Sequence, residues 1–379
     1  MVCISRKIGG FALLIISLVL GGLACDDQPF HFQNPISGQL GKAVIGGGFQ
    51  MQDYWVWGSS VVKAEDGKYH MFASRWPKYI PFHPGWMVAS EIVRATSDKP
   101  EGPYTFQEVV LEARGAQYWD GKSTHNPKII KYKDNYILYY MGSTHPFEDL
   151  NPENIKDFDL KSKHCIVGRW RKRIGIAVSK NINGPWKRYD KPILDVEPGS
   201  FYSYLTSNPA PLIKENGEVI LIFKGRAYKE DRHGPMNVGV ARAKSFEGPY
   251  SVVGDEPFFS KDKFGVVEDP HLWSDKNGYH MLAKDHKGSI TGEHGAGFLA
   301  HSNDAISWEL DKNVKAYSKL IQWDNGEDIK MGQLERPFVL VENGMPSHIF
   351  FATMDGPGGF ENASKSWNMV IPLKSGNKD

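Results

Sequence analysis

The chain repeats itself five times, and no other feature limits its fold so strongly. The segments "VWGSSVVKAEDGKYHMFASRW", "THNPKIIKYKDNYILYYMGSTH", "TSNPAPLIKENGEVILIFKGRAY", "VEDPHLWSDKNGYHMLAKDHKG" and "LERPFVLVENGMPSHIFFATMDG" align in phase. Each opens on a polar pair, usually followed by proline, and runs into a short apolar stretch. A turn rich in Asp, Asn, Gly or Lys comes next, then a second apolar strand ending in small or charged residues. Two apolar runs of strand length joined by such a turn read as a β-hairpin. A second motif trails four of the five, as "VRATSDKPEGPYTF", "GIAVSKNINGPWKR", "GVARAKSFEGPYSV" and "FLAHSNDAISWEL". It adds another strand, a loop, and a Gly-Pro-aromatic or Ser-Trp step into the next. Four strands per unit, at an irregular period of roughly 60 to 80 residues, suit propeller blades with loops of unequal length. The expected fold is therefore all-β: a single five-bladed β-propeller with four-stranded blades over residues 43–373. The last unit offers only "WNMVIPL" after its hairpin, so "KAVIGGGFQM" near the start is expected to supply the missing strand and close the ring. Residues 26–42 then form a linker and 374–379 a tail.

The first 25 residues read as a targeting segment and not as part of the fold. Arg6 and Lys7 make a basic start, and "FALLIISLVLGGLA" is an apolar run too short for a comfortable membrane span. It leads into "GGLACDDQ", which resembles a bacterial lipoprotein cleavage site with Cys25 as the lipidated N-terminus. Gly22 stands where leucine is usual, and an ordinary secretory signal cut nearby is the plainer alternative. Asp26 and Asp27 resemble the surface-export tag of some Gram-negative lipoproteins. The expected location is the cell envelope or outer membrane as a lipoprotein, or the periplasm or exterior, with membrane contact only through an anchor at Cys25. Of the three cysteines only Cys165 is then left without a role, so no internal disulfide is available to an exported chain, and an inert buried thiol is expected. Lysine plus arginine (45) nearly balances aspartate plus glutamate (44), so no overall field favours nucleic acid or a membrane surface. No zinc spacing, Rossmann fingerprint or phosphate-binding glycine loop occurs.

The blade-initial "DP"-like dipeptides and the "S-x-x-x-x-GPW" connections resemble the five-bladed propeller glycosidases, namely glycoside hydrolase families 43, 62, 32, 68 and 117 with the related family 130. The resemblance covers roughly residues 43 to 373 and fits a divergent family 43-like branch. It implies an exported hydrolase that removes a terminal sugar through two carboxyl groups in the propeller funnel, one protonating the leaving oxygen and the other activating water or attacking directly. Those families place a base Asp, a pKa-tuning Asp and an acid Glu on different blades. Here "WGSSV" lacks the first acid, and blades two and three carry Asn126 and Asn208 where acids are expected.

In a propeller the starts of first strands and the ends of second strands converge on one pocket. By that geometry the catalytic candidates are Asp269, Glu335, Asp120, Glu268 and His286. The substrate-binding candidates are Arg75, Trp76, His125, Asn126, Asn208, Lys224, Arg226, His271, Asp285 and Arg336. Plainer roles stand beside these. Adjacent strand residues point opposite ways, so one of Glu268 and Asp269 is expected to cap the strand turn, and Glu335 beside Arg336 could be a local ion pair. Arginine forks suit carboxylates and sulfates, so the cations of this set point to an acidic or sulfated plant or algal oligosaccharide unless neighbouring acids consume them. Trp76, Trp86 and Trp119 are the expected platforms for a sugar ring. The long stretches "SRWPKYIPFHPGWMVASE" and "STHPFEDLNPENIKDFDLKSKHCIVGRWRKR" are expected to shape the site or contact a partner. No cofactor is required. Some relatives hold a calcium ion on the axis, which the resemblance leaves open. Two alternatives remain beside hydrolysis: a non-catalytic carbohydrate-binding propeller, since acids are missing from three blades, and a phosphorylase or lyase on the same fold. Oligomeric state has no signature in the sequence.

Overall fold

A computed structural model describes residues 35–374, apart from Asp231 and the side chain of Arg232. The targeting segment with Cys25, and the tail beyond Lys374, lie outside the described residues. Each repeat becomes one antiparallel sheet whose strands pair in chain order. Blade I comprises Tyr54–Lys63, Tyr69–Pro77, Glu91–Ser97 and Thr105–Leu111. Blade II comprises Ser123–Tyr132, Asn135–Ser143, Arg173–Ser179 and Lys187–Arg188, and blade III Leu205–Ile213, Val219–Arg226, Asn237–Ala243 and Ser251–Val252. Blade IV comprises Val267–Asp275, Gly278–Asp285, Gly297–Ser302 and Glu309–Tyr317. Blade V has three strands, Gln333–Glu342, Met345–Met354 and Ser366–Pro372. Its fourth position is taken by the N-terminal segment, as expected, though through isolated pairs and not a continuous strand. Phe49 and Asn368 exchange both backbone hydrogen bonds at 2.9 Å, and Leu40 bridges Leu373. The run of glycines explains the interruption. Gly46 and Gly48 sit at φ 70 and 71°, off the extended conformation, and a Cβ on Gly48 would lie 1.8 Å from the Asn368 carbonyl oxygen.

Neighbouring blades bury each other's faces, so the inner strands are apolar on both sides and read as runs such as "ILYYM" without strict alternation. Val56 and Met71 of blade I meet Phe338 and Phe350 of blade V, while Phe72 packs with Leu138 across blades I and II. Tyr139 and Ile174 pack with Leu221 and Phe223 across II and III. Ile220 and Ile222 meet Leu272 and Met281 across III and IV. Tyr317 places its ring edge-on to Phe351, 4.7 Å away, across IV and V. Each such side chain contributes about 1.5–3 kcal/mol by leaving water.

One irregularity recurs in every blade and decides where polar side chains go. The ladder between first and second strands slips one step after its opening polar pair: between Trp57 and Ser59, His125 and Lys128, Glu268 and His271, and Glu335 and Phe338, with the matching slip at Ile222/Lys224 in blade III. At each slip one residue takes a left-handed conformation: Gly58 (φ 42°), Asn126 (53°), Asn208 (51°), Asp269 (58°) and Arg336 (53°). These are β-bulges, which re-aim side chains and leave a backbone group out of the ladder. Four of the five are followed by proline (Pro127, Pro209, Pro270 and Pro337), which has no N–H to contribute there. The repeated polar-pair–proline signature is therefore the sequence of a bulge.

Candidate active site

The five left-handed residues turn towards one another at the axis. Asn126 Nδ2 donates to Asn208 Oδ1 at 3.0 Å, and Asn208 Nδ2 donates to Asp269 Oδ1 at 2.9 Å. Asp269 is ion-paired with the Arg336 guanidinium and also accepts the Arg336 backbone N–H at 3.3 Å. Gly58 closes the circuit, because a Cβ there would stand 2.9 Å from Asn126 Oδ1 and 3.3 Å from Arg336 Cγ. The Asp269 side chain has no exposed surface.

The residue before each left-handed position points the other way, into a cavity of about 340 Å³. Trp57, His125, Ser207, Glu268 and Glu335, one per blade, all line it. Segments outside the repeat complete the walls. The helix Phe82–Ala89 brings Phe82, His83, Trp86 and Met87, and the helix Lys163–Trp170 with the residues after it brings Arg169 and Lys172. Blade III adds Leu205, Lys224, Arg226, His233 and Met236, while His286, Arg336 and Phe360 come from the last two blades.

Glu268 and Glu335 are the carboxylates of this lining, against the cations Arg169, Lys172, Lys224, Arg226 and Arg336. Glu268 Oε1 accepts from Lys224 Nζ at 2.6 Å, and its Oε2 lies 3.6 Å from His286 Nδ1, an electrostatic contact too long for a hydrogen bond. Burial works to raise the Glu268 carboxyl, but Lys224, His286, Arg336 and Lys284 outweigh it and hold the group well below the usual carboxylate range. Burial pushes its partner Lys224 down to about 8 despite the facing carboxylate. Glu335 is ion-paired with Lys284, whose side chain is 2% exposed. Lys172 lies 3.9 Å over the Trp86 ring, and Trp86 stacks on His125 with centroids 5.0 Å apart. Burial, reinforced by Arg336, Lys172 and Lys224, drives His125 well below its ordinary value, so the ring is neutral and shares a 2.8 Å hydrogen bond with Ser90 Oγ. His83 is likewise pushed down to about 4, by burial and then by Lys172 and Arg169.

Among the expected catalytic residues, the structure thus brings Glu268, Glu335 and His286 together and takes two elsewhere. Asp269 belongs to the axial ring, because the bulge aims it away from the cavity and at Arg336. Asp120 is wholly buried outside the cavity, accepting from Arg114 Nε at 2.6 Å and Tyr140 Oη at 2.7 Å, with Arg188 Nη1 at 3.7 Å. Those partners hold it in the wall of blade II, where it cannot swing inward. Among the expected binding residues, His125, Lys224, Arg226 and Arg336 line the cavity and six do not. Asn126 and Asn208 are in the ring. Arg75 is bound to Glu91 at 2.8 Å and lies against the rings of Tyr54 and Phe106. Trp76 is fully buried behind the wall, tilted on Phe82 and edge-on to His125. His271 packs on Phe338 and Trp273 in a separate apolar pocket. Asp285 accepts the backbone N–H groups of Gly288, Ser289, Ile290 and Thr291, and so anchors the loop that carries His286. Of the expected sugar platforms Trp86 reaches the cavity, whereas Trp119 stacks on Tyr140 and donates to the Tyr189 carbonyl. Arg169, Lys172, His83 and His233 were not anticipated. They sit in segments outside the repeat, where phase gives no guide; the length of two of those stretches was the signal for His83, Arg169 and Lys172, and His233 had none. Cys165 is buried and its thiol pushed up to about 12 by burial, the inert state expected.

The axial residues do not fit calcium, which takes six to eight oxygen ligands. The ring supplies one carboxylate, already paired with Arg336, and two amides bonded in series. A guanidinium occupies the place a dication would need.

A closed ring of five blades is also what comparison with solved structures finds. The chain is similar to Zg3597, a family 117 glycoside hydrolase produced by the marine bacterium Zobellia galactanivorans, with a TM-score of 0.58 and 16% identity over 85% of each chain. It is similar to the endo-arabinase from Bacteroides thetaiotaomicron VPI-5482 (TM-score 0.52, 12% identity, 87% of this chain and 98% of that one). A third relative in shape is CoXyl43, a family 43 β-xylosidase/α-arabinofuranosidase from a compost microbial metagenome, in complex with xylotriose and in a calcium-free form (TM-score 0.56, 16% identity, 87% and 94%). At these identities the likeness establishes the five-bladed propeller fold. No protein-family model and no curated protein sequence matches the chain.

Proposed function

We propose that this is an exported, exo-acting glycoside hydrolase that removes a terminal sugar from an acidic or sulfated plant or algal oligosaccharide. One observation carries the reading. The two carboxylates of the cavity lining occupy the same bulge-defined position on adjacent blades, Glu268 on IV and Glu335 on V, in a recess otherwise rich in cations and aromatic rings. Two carboxyl groups facing one pocket are what glycoside hydrolysis needs. The glycoside hydrolases that share the fold support the same class. A recess of this size favours the end of a chain over its middle, and the excess of cations favours an anionic sugar.

Glu268, held ionised, takes the base or nucleophile role, and Glu335 is the proton donor to the leaving oxygen. A second reading has its own support. Glu335 is engaged by buried Lys284, and His286, beside Glu268, is then the other group of the lining that can give the proton. No step needs a metal. Export and anchoring through lipidated Cys25 belong to this proposal on the strength of the N-terminal residues, and Cys25→Ser should abolish incorporation of radiolabelled palmitate.

The test is a screen of the purified chain against acidic and neutral oligosaccharides, read for released sugar with and without phosphate and for the absorbance of an unsaturated uronate. Sugar release without phosphate is expected. Dependence on phosphate would mean phosphorolysis, an unsaturated product a lyase, and binding without any product a sugar-holding propeller. On the substrate so found, Glu268→Gln should lower kcat at least about 100-fold, the scale of a lost general base. Glu335→Gln should do the same for natural leaving groups yet recover on activated aryl glycosides, which need no protonation. If His286→Gln shows that recovery and Glu335→Gln does not, the roles pass to the second reading.

A further inference from the structure

The cavity holds more positive charge than its carboxylates can use, and the surplus is localised. Lys224 is taken by Glu268, and Arg336 by Asp269. Lys172 is 5% exposed, and among the described residues no carboxylate pairs with it. Its ammonium has an aromatic face, Trp86, on one side and other cations around it. A neighbouring contact is mismatched in a way that points to an absent acceptor. Arg169 Nη1 lies 3.2 Å from His233 Nε2, and Arg226 Nη1 lies 2.8 Å from His233 Nδ1. A guanidinium only donates, and a neutral imidazole has one accepting nitrogen. His233 can therefore serve only one of the two arginines, and the other contact sets donor against donor. Arg226 also donates to the Gly234 carbonyl at 2.8 Å. Which contact is mismatched depends on the tautomer: Arg169 if Nδ1 accepts, Arg226 if Nδ1–H turns to the Gly234 carbonyl 3.4 Å away. Either way one guanidinium faces an N–H, and among the described residues no carboxylate stands there to accept from it.

We propose that Arg169, Lys172, Arg226 and His233 form an oxyanion subsite for the carboxylate or sulfate ester borne by the sugar that enters the cavity. The proposal rests on the glycosidase reading and deepens it by naming the substrate feature and the wall that selects it. An oxyanion there accepts from the guanidinium that His233 leaves without an acceptor, which relieves the donor–donor contact, and it pairs Lys172. Charge-assisted bonds of this kind are about twice as strong as neutral ones. The subsite comes from blade III and from the segment between the second and third strands of blade II, whereas both carboxylates come from blades IV and V. The anionic substituent and the scissile bond are thus held by different parts of the ring. Burial and the surrounding cations push Lys172 well below its ordinary range, a shift that an anion bound beside it would oppose.

The full chain can be tested without knowing the natural substrate. Isothermal titration at constant ionic strength would use sodium sulfate, sodium glucuronate and sodium phosphate as probes against a sodium chloride background. Saturable binding of sulfate or glucuronate is expected, and the tighter of the two identifies the substituent. Lys172→Met and Arg169→Gln should each weaken that binding at least about tenfold. Lys172→Met should unfold no earlier than the wild type, because it removes an unpaired buried charge; a merely structural lysine would show the opposite. No saturable binding of either probe, or binding that survives both substitutions, would overturn the subsite. Phosphate binding tighter than both, together with phosphate-dependent turnover, would also overturn it, because the anion would then be a co-substrate. Failure of the glycosidase reading looks different: the anions bind and respond to the substitutions, but no sugar is released from any oligosaccharide.

Discussion

Replacing Asp269 should unfold the ring before it touches chemistry. The Asp269 side chain has no exposed surface, and that of its ion-pair partner Arg336 is 10% exposed. Removing one partner of such a buried pair strands the other charge, at a cost of about 3–5 kcal/mol. Asp269 also holds φ 58°, a conformation Asn tolerates and Ala adopts at a further cost of about 1–2 kcal/mol. Asp269→Asn should therefore lose about 3 kcal/mol, keeping the backbone and an acceptor for Asn208. Asp269→Ala should lose about 4–7 kcal/mol, most of what holds an ordinary domain together. Urea unfolding of wild type and variants measures this directly, with the slope compared so that only changes at constant slope are read as stability. The double variant Asp269→Asn/Arg336→Met should recover part of the loss, because no charge is then left buried without a partner. Unfolding of both single variants within about 1 kcal/mol of wild type would refute the structural role. If those variants bound substrate but did not turn it over, Asp269 would be acting chemically after all.

Gly58→Ala places a methyl 2.9 Å from Asn126 Oδ1 at φ 42°, and should cost about 1–3 kcal/mol in the same unfolding assay. Asp285→Ala removes the acceptor of four consecutive N–H groups and should speed amide exchange at Gly288–Thr291 while lowering kcat/KM through displacement of His286. Stability should also rise with pH on the acid side. His145 is 1% exposed and pushed down to about 4 by burial, with His164 and Lys122 adding to the shift. The unfolded chain takes up that proton near about 6.5, so between the two values it binds more protons than the folded protein. The contribution is complete above about 6.5, and on the order of 3 kcal/mol is lost as pH falls to about 4. His83 acts in the same direction. A flat unfolding free energy across that range, or a slope unchanged in His145→Phe, would contradict this.

The hairpin repeat was legible because an inner propeller strand is buried on both faces and must be apolar, while its turn must be polar. The ring closure was legible by counting strands, though not its interruption at Gly46–Gly48. The cavity was legible only as a neighbourhood. Glu268 and Asp269 are adjacent acids, and nothing in their identity says which faces the substrate; a bulge decides it, by giving one of the pair a left-handed backbone. Asp120 was misplaced for a related reason. Its carboxylate looked free in a loop of small and polar residues, but Arg114 and Tyr140, one upstream and one on the second strand of blade II, converge on it only in three dimensions. Arg169 and Lys172 lie in "GRWRKR", which as a string is any solvated basic run. Folding buries Lys172 against Trp86 and leaves Arg171 less deeply buried next to it in sequence.

Across the five bulges two parallel sets of residues can be read, and they are under different physical demands. The axial set, Gly58, Asn126, Asn208, Asp269 and Arg336, is buried, with only Arg336 reaching the cavity, and its members must find most of their partners in one another. It does so as a donor–acceptor chain with one ion pair and a glycine where no further side chain fits. The cavity set, Trp57, His125, Ser207, Glu268 and Glu335, has no such duty and can be chosen for a ligand. The loss of acids from blades I to III, which by itself suggests a degenerate enzyme, then has another reading. On those blades the cavity positions carry a ring, a neutral imidazole and a hydroxyl, while cations are brought in by the segment between strands of blade II. Acids beside Lys172 and Arg169 would neutralise the charge that an anionic sugar needs to find there. Confining the carboxylates to blades IV and V keeps Glu268 and Glu335 for the glycosidic bond. A chain that kept this separation but released no sugar would still have to explain why a surplus of cations faces the same recess as Glu268 and Glu335.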